Sequence, residues 1–229
     1  MSQDGPTLSE QLESTDPDVQ LMLQVKDDVH GAFEVLVQRY QDRLLGIIVH
    51  LVGDATEAED LTQEVFLRIY KARKGYKPRA KFSTWLFTVA NNLVSNYLRS
   101  KGRNRQVSLD AGASGSQGVP AGERVQASGG TPSAQMRQAE LAEVVRRALD
   151  NLGEDQKLAV LLNKFEQMKY AEIAEIMGKS ESAVKSLLSR ARTNLRESLE
   201  PYFKTGAKTI EAPPPQRRHK PIDPSIDDD

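Results

Sequence analysis

A stripe of hydrogen-bonding side chains that ends in a cation follows Trp85. Its members lie three to four residues apart, which is the spacing of one face of a helix. They are Thr88, Asn92, Ser95 and Arg99, with Asn91 beside them. Side chains of this kind suit phosphate oxygens and the edges of bases. Two interpretations stay open for the stripe alone, a nucleic-acid contact and an ordinary polar helix face.

The charges around this stripe are segregated, although the net charge of the 229 residues is only −1. The stretch 71–105 holds ten basic residues and no acidic one: Lys71, Arg73, Lys74, Lys77, Arg79, Lys81, Arg99, Lys101, Arg103 and Arg105. The stretch 54–65 is purely acidic, with Asp54, Glu57, Glu59, Asp60 and Glu64. Because like charges repel, an uninterrupted basic block beside aromatic residues favours a polyanionic partner.

Three of those carboxylates, Glu57, Asp60 and Glu64, have the residue types of a metal-dependent nuclease. No further motif completes such a site, and His30, His50 and His219 are scattered. Because the chain has no cysteine, a zinc finger with thiolate ligands and a cysteine nucleophile are excluded. The sequence therefore predicts a protein that is not an enzyme and has neither a metal site nor a cofactor. The nuclease remains the alternative of a different class.

The sharpest pattern lies in residues 170–199, where two helical segments meet at a glycine. Residues 170–178 predict a short helix, residues 179–180 a tight turn and residues 181–199 a longer helix. The apolar residues predicted to meet are Ile173, Ala174 and Met177 on the first helix and Val184, Leu187, Leu188 and Ala191 on the second. This is a helix-turn-helix pattern, whose second helix enters the DNA major groove. Its outward residues suit base edges and phosphates: Ser182, Lys185, Ser186, Ser189 and Arg190.

The elements that carry these residues are predicted to be helices throughout. Apolar residues recur at spacings of three and four in residues 32–52 and 57–72, and a further helix is predicted to run from Ser83 to about Ser100. No segment alternates apolar and polar residues for long enough to predict a strand. The predicted fold class is therefore all-α.

Composition divides the chain into two small helical domains, residues 16–103 and 134–200. Between them lies a Gly/Ser-rich stretch, 104–133, that predicts a flexible linker. Residues 1–15 and the Pro-rich residues 201–229 are predicted to be disordered. The N-terminus has no signal segment, and no run approaches the roughly 20 apolar residues that span a bilayer. These features predict a soluble cytoplasmic protein.

Three passages resemble bacterial sigma-70 family RNA polymerase sigma factors of the extracytoplasmic-function (ECF) group. They are AEDLTQEVFL at 58–67, FSTWLFTVANNL at 82–93, and YAEIA at 170–174 together with SAVKSLLSRAR at 182–192. They occur in the order found in the family. The resemblance covers residues 16–103 and 134–200 and implies a region 2 bundle followed by a region 4 helix-turn-helix.

The resemblance implies roles for specific residues. Asp60, Gln63 and Glu64 would dock on the clamp of core RNA polymerase, with a second contact between region 4 and the flap. Binding and melting of the −10 promoter element is implied for Lys81, Phe82, Ser83, Thr84, Thr88, Asn91, Asn92, Ser95 and Arg99. Reading of the −35 element falls to the outward residues of the helix-turn-helix listed above. An anti-sigma factor is the implied regulatory partner.

A second alternative is an ordinary helix-turn-helix activator with an N-terminal sensor domain. It accounts for residues 134–200 but not for the basic block or the helix that begins near Trp85. Polymer dimensions favour a host complex, because promoter elements two helical turns apart lie about 70 Å from each other along DNA. A relaxed tether of the 28 residues 106–133 averages only roughly 30 Å from end to end. We therefore expect polymerase to hold the domains apart, and expect weak duplex binding by the isolated chain.

Overall fold

A computed structural model describes residues 7–110 and 132–205. Nine α-helices occur in this part of the chain. They are α1 (Leu8–Thr15), α2 (Pro17–Lys26), α3 (Ala32–Val52), α4 (Ala55–Ala72), α5 (Phe82–Asp110), α6 (Pro132–Asp150), α7 (Glu154–Lys164), α8 (Tyr170–Met177) and α9 (Glu181–Thr205). A short 3-10 turn, Arg73–Gly75, follows α4, and the described residues contain no strand. The predicted all-α fold class, with two helical domains, is confirmed.

Helix α2 begins at a side-chain cap. The Asp16 Oδ1 atom accepts hydrogen bonds from the backbone N–H groups of Asp18 (2.9 Å) and Val19 (3.3 Å), and Pro17 occupies the first helical position. The second oxygen of Asp16 accepts from the N–H of Phe82 at 3.2 Å. One carboxylate thus anchors the first residues of both α2 and α5.

The first domain packs α3, α4 and α5 around an apolar core. Each helix contributes residues from one face, as the spacing of three and four predicts. The fully or almost fully buried members include Leu36, Leu44 and Ile48 of α3, Val65 and Ile69 of α4, and Leu86, Ala90 and Val94 of α5. Phe82, only 1% exposed, closes one end of this core, with its ring edge-on to Tyr40 at a centroid distance of 5.2 Å.

The second domain contains the predicted helix-turn-helix as α8, a turn and α9. Gly178 ends α8 in the left-handed conformation with φ +61°, where a side chain would be strained. The Ser180 hydroxyl accepts from the N–H of Ala183 at 3.2 Å and caps α9. Five of the seven predicted seam residues are buried, namely Ile173, Ala174, Val184, Leu188 and Ala191, whereas Met177 and Leu187 are partly buried.

The element boundaries differ from the sequence predictions at the start of the described chain, on both sides of the predicted linker and at the end of α9. Residues 8–15 form α1 instead of a disordered start, because Thr7 and Glu10 make a capping box. Helices α5 and α6 extend into the predicted linker, to Asp110 and from Pro132. Helix α9 continues through Pro201, which fits a helical φ at the cost of one hydrogen bond. The disorder predicted for residues 1–6, 111–131 and 206–229 lies outside the described residues.

The two domains pack against each other, which the sequence analysis does not predict. Helix α5 packs on α8, and α3 packs on α7, so that the buried apolar residues of both domains form one continuous cluster. No helix of the described ranges combines the length and the apolar character that crossing a bilayer requires.

Candidate nucleic-acid and polymerase interfaces

The acidic residues of the stretch 54–65 lie on α4 and at its N-terminus, and they form what we call the acidic face. Asp54 caps this helix by accepting from the N–H of Glu57 at 3.0 Å. Of the three residues predicted to bind polymerase, Asp60 and Gln63 are exposed and Glu64 is partly exposed. Glu64 pairs with Arg68 one turn later at 2.7 Å, and this hydrogen bond lowers the pKa of Glu64. The face therefore offers carboxylates and an amide to solvent, which suits a basic protein surface.

The loop before α5 is fixed by contacts from α2 and from the turn after it. The ammonium group of Lys26 donates to the backbone carbonyl of Tyr76 at 3.0 Å, and Arg73 pairs with Asp28 at 3.1 Å. The Tyr76 ring lies 4.9 Å from that of Trp85, centroid to centroid. These contacts hold the loop that carries the densest part of the basic block in one conformation.

The four residues predicted at the entry to α5 have two different environments. Lys81 is exposed and Ser83 partly exposed, whereas Phe82 and Thr84 are each 1% exposed. The hydroxyl of Thr84 has no hydrogen-bond partner within the described ranges. Phe82 and Thr84 therefore belong to the core of this conformation and support the surface from beneath, while Lys81 and Ser83 lie on it.

A cleft of about 580 Å³ lies beside this entry. Its lining includes the cations of Lys77 and Arg79, the ring of Trp85, and Thr88 from the polar stripe. Lys77 lies just outside the segment 78–99 that the resemblance assigns to the −10 element, and Arg79 lies inside it without being among the individually named residues. Both belong to the basic block. A carboxylate from the other domain, Glu175 of α8, completes the lining.

The polar stripe of α5 is formed as predicted, but part of it is occupied by the other domain. Asn92 and Arg99 are exposed, and Ser95 donates to the side-chain oxygen of Asn91 at 3.4 Å. The Asn91 amide donates to the backbone carbonyl of Ile176 at 3.1 Å. The stripe therefore lies against α8 at Asn91 and faces solvent farther along.

The outward face of α9 is fully open. All five residues predicted to read the −35 element are exposed: Ser182, Lys185, Ser186, Ser189 and Arg190. The Ser186 hydroxyl donates to the carbonyl of Ser182 at 2.9 Å and so lies close to the helix surface. Short side chains of this kind let a helix approach base edges, and the two cations extend beyond them.

The carboxylates of the alternative nuclease site do not assemble into a metal centre in the part of the chain that the structure describes, where no group of three metal-ligating side chains occurs. Glu57 lies in the first turn of α4 and Glu64 is engaged by Arg68.

Comparison with known proteins identifies both domains. A model of sigma-70 region 2 matches residues 36–104, and a model of sigma-70 region 4 matches residues 142–195. The chain belongs to the ECF group of the sigma-70 family. Sigma factors of this family are non-catalytic transcription initiation factors, and the function of the chain is promoter-specific transcription initiation.

Individual relatives are similar over most of the chain. The RNA polymerase sigma-H factor of Pseudomonas aeruginosa is 33% identical over 82% of this chain and 96% of its own length. The ECF RNA polymerase sigma-E factor of Escherichia coli K12 is 30% identical over 86% of this chain and its whole length. The sigma factor RpoE of Bartonella quintana, solved with the anti-sigma factor NepR, shares the fold with a TM-score of 0.58 and 24% identity, over 73% of this chain and 96% of that chain.

Proposed function

We propose that this ECF sigma factor binds core RNA polymerase through α4 and reads two promoter elements, the −10 element with α5 and the −35 element with α9. One observation carries the proposal: the chain has two polar, cation-bearing helix faces, on α5 of the first domain and on α9 of the second. The helix before α5, α4, carries an acidic face instead. Double-stranded and single-stranded DNA both attract cations. The acidic face repels DNA, so its partner is a protein.

The polymerase contact is formed by Asp60, Gln63 and Glu64. Asp60 and Gln63 are exposed, and the Arg68 partner of Glu64 is itself on the surface. An acidic patch guides association with a basic protein surface and excludes the DNA that the same machine holds nearby. A second contact joins region 4 to the flap of core polymerase.

The −10 contact is formed by the surface of α5 and its preceding loop. Lys81 and Arg99 contact phosphates, and the polar stripe between them contacts the displaced strand. Trp85, packed on Tyr76 beside the cationic cleft, provides a rigid aromatic wall. Phe82 and Thr84 act from the core by fixing the position of Lys81 and Ser83.

The −35 contact is formed by the exposed face of α9. Lys185 and Arg190 reach guanine edges or phosphates, and the serines permit close approach of the helix. The chain performs no bond-making step of its own: DNA opening is driven by binding energy, in the cytoplasm. A protein of the anti-sigma type restrains the free factor.

Reconstitution with purified core polymerase tests the proposal. Core enzyme plus this chain initiates at specific promoters without any other sigma factor. An activator with a helix-turn-helix needs a resident sigma factor, so initiation that depends on adding one would contradict the proposal. Metal-stimulated cleavage of DNA by the chain alone would support the nuclease instead.

A further inference from the structure

The cleft beside the start of α5 has the size and the composition of a small-molecule site. Its volume of about 580 Å³ lies within the range of about 300–1,000 Å³ that is usual for such sites. Three of its lining residues, Ala72, Gly75 and Ala80, are small and leave room for a ligand. The other lining residues include two cations, an indole ring and a carboxylate, and these groups decide which ligand fits.

The two cations of the cleft have no anionic partner in the described part of the chain. Lys77 and Arg79 are exposed, and the side chain of neither forms an ion pair or a hydrogen bond there. Lys74 and Lys81, their neighbours in the basic block, each pair with a carboxylate. The loop that carries Lys77 and Arg79 is fixed by the contact from Lys26 to its backbone. Two unpaired cations on a fixed loop suit a phosphate group, which accepts charge-assisted hydrogen bonds from both.

The indole ring of Trp85 gives the cleft an aromatic surface. Trp85 is partly exposed, and its ring is held by the rings of Tyr76 and Phe82, at centroid distances of 4.9 Å and 6.1 Å. Nucleobases stack on aromatic side chains, and every base has a face that can do so. A rigid ring beside two unpaired cations is therefore suited to a nucleotide, with the base on the ring and the phosphates on the cations.

Glu175 lines the cleft from α8 and discriminates between bases. Its side chain forms no ion pair or hydrogen bond within the described ranges, unlike that of Glu172, which pairs with Lys81 at 2.8 Å. A carboxylate offers two acceptor oxygens and no donor. Guanine presents two adjacent donors, N1–H and the exocyclic amino group, whereas adenine, cytosine and uracil each place an acceptor beside the donor. The carboxylate therefore favours guanine.

We propose that this cleft binds a free guanine nucleotide, with its base stacked on Trp85 and paired with Glu175 and its phosphates on Lys77 and Arg79. The cations belong to the first domain and the carboxylate to the second, so the nucleotide contacts both. Glu175 lies outside both helix faces that we propose to bind DNA. The inference goes beyond the proposed function, because this binding requires neither polymerase nor a promoter.

Titration of the full chain with GDP, without polymerase, tests the inference. Trp85 is the only tryptophan of the chain, so its fluorescence reports on the cleft directly. GDP quenches this fluorescence saturably, and calorimetry of the same mixtures gives the affinity. ADP and CDP bind about tenfold more weakly, which is the discrimination that one two-point contact to a base provides.

A substitution of Glu175 tests the base contact. Glu175→Gln lowers the affinity for GDP about tenfold and does not lower that for ADP, because the amide replaces one of the two acceptors by a donor. Since Glu175 is exposed, the substitution leaves the core intact. Glu197→Gln, at an exposed position of α9, is the control with the same change in charge and leaves both affinities unchanged.

A second variant tests the phosphate contact. Lys77→Ala with Arg79→Ala lowers the affinity for GDP about tenfold or more and removes the difference between GDP and guanosine, which lacks phosphates. Both residues are exposed, so the fold is retained. Lys164→Ala with Arg196→Ala, at exposed positions of α7 and α9, is the matched control and leaves the affinity for GDP unchanged.

The inference is overturned if GDP gives no saturable quenching up to about 1 mM, or if GDP, ADP and CDP bind equally. Losses in a control as large as in its matched variant reduce the effect to net charge and also overturn it. A DNA pentamer with a central guanine between thymines distinguishes a strand from a free nucleotide: if it binds more tightly than GDP with the same dependence on Glu175, the cleft belongs to DNA. A chain that binds GDP but gives no promoter-specific transcript with core polymerase contradicts the proposed function alone.

Discussion

The two helix faces that we propose to bind DNA differ in how they are held in this chain. The α9 face is a single helix surface capped by Ser180, and its five residues are open to solvent. The α5 face is composite: a loop fixed by α2, a core residue at the helix entry, and a stripe that lies partly against α8. The proposed duplex contact therefore lies on a preformed and exposed helix, whereas part of the proposed single-strand contact is covered by α8.

The largest expected effect concerns the support of the α5 face. Phe82→Ala removes a ring that is 1% exposed and contacts Tyr40 and Trp85, so we expect a loss of about 3–5 kcal/mol in the free energy of unfolding. Urea denaturation of the full chain measures it. Leu67→Ala, at a residue that is 51% exposed, is the control and changes stability little. A stable Phe82→Ala protein with lost −10 binding would instead assign the ring to direct DNA contact.

The α9 face is expected to lose specificity without losing stability. Lys185→Ala or Arg190→Ala should relax discrimination at −35 base pairs by about 1–3 kcal/mol, because each removes a contact to DNA and nothing buried. Transcription from a library of −35 variants reports the change, with Arg196→Ala farther along α9 as the control. An unaltered profile of promoter preference would refute the assignment.

Substitutions in the acidic face of α4 should weaken the binding of core polymerase and leave the discrimination of both promoter elements unchanged. We expect Asp60→Ala and Gln63→Ala each to weaken binding of core polymerase by about 1–2 kcal/mol, as truncation of exposed polar interface residues does. Titration of labelled core enzyme measures the affinity, and Gln38→Ala on the exposed side of α3 serves as the control. Equal affinities for all three variants would remove these residues from the interface.

The smallest effect concerns pH. Burial acts to raise the pKa of Glu172, but hydrogen bonds from Lys81 and from the N–H of Lys169, together with the charges of both lysines, outweigh it and hold that pKa below the ordinary 4.5. The ionised carboxylate thus stabilises the folded chain at and above pH 4.5, and its contribution is lost as the pH falls through the lowered pKa. We expect a loss of at most about 1 kcal/mol in the free energy of unfolding. Urea denaturation at neutral and acidic pH measures it, and Glu172→Gln should reduce the dependence.

The sequence predicts the local structure of both faces well, because local signals specify it. Glycine at 178, the apolar seam of α8 and α9, and the spacing of the α5 stripe all correspond to what the structure contains. Helix α1 is missed although Thr7 and Glu10 form a capping pattern, since the segment is short and polar. Local sequence signals are therefore sufficient to predict the strongly patterned helices, but they are insufficient to predict a short polar helix such as α1.

The parts that the sequence does not predict depend on contacts between distant residues. Phe82 is separated from Trp85 by two polar residues, and its packing on Tyr40, 42 positions earlier, shows that it is core. The pairs Lys81–Glu172 and Arg43–Glu166 join residues on different domains, and no periodicity marks either partner. The placement of α8 on α5 is likewise a tertiary result.

Asp16 links the structure of the first domain to its N-terminal segment. Its two oxygens serve separate structural duties, one at the start of α2 and one at the amide of Phe82, 66 positions later. A chain that starts after Asp16 would lose the N-cap of α2 and also the hydrogen bond that holds the backbone N–H of Phe82, next to Lys81. The N-terminal segment therefore supports the backbone beside Lys81, although it is distant from Lys81 in the sequence.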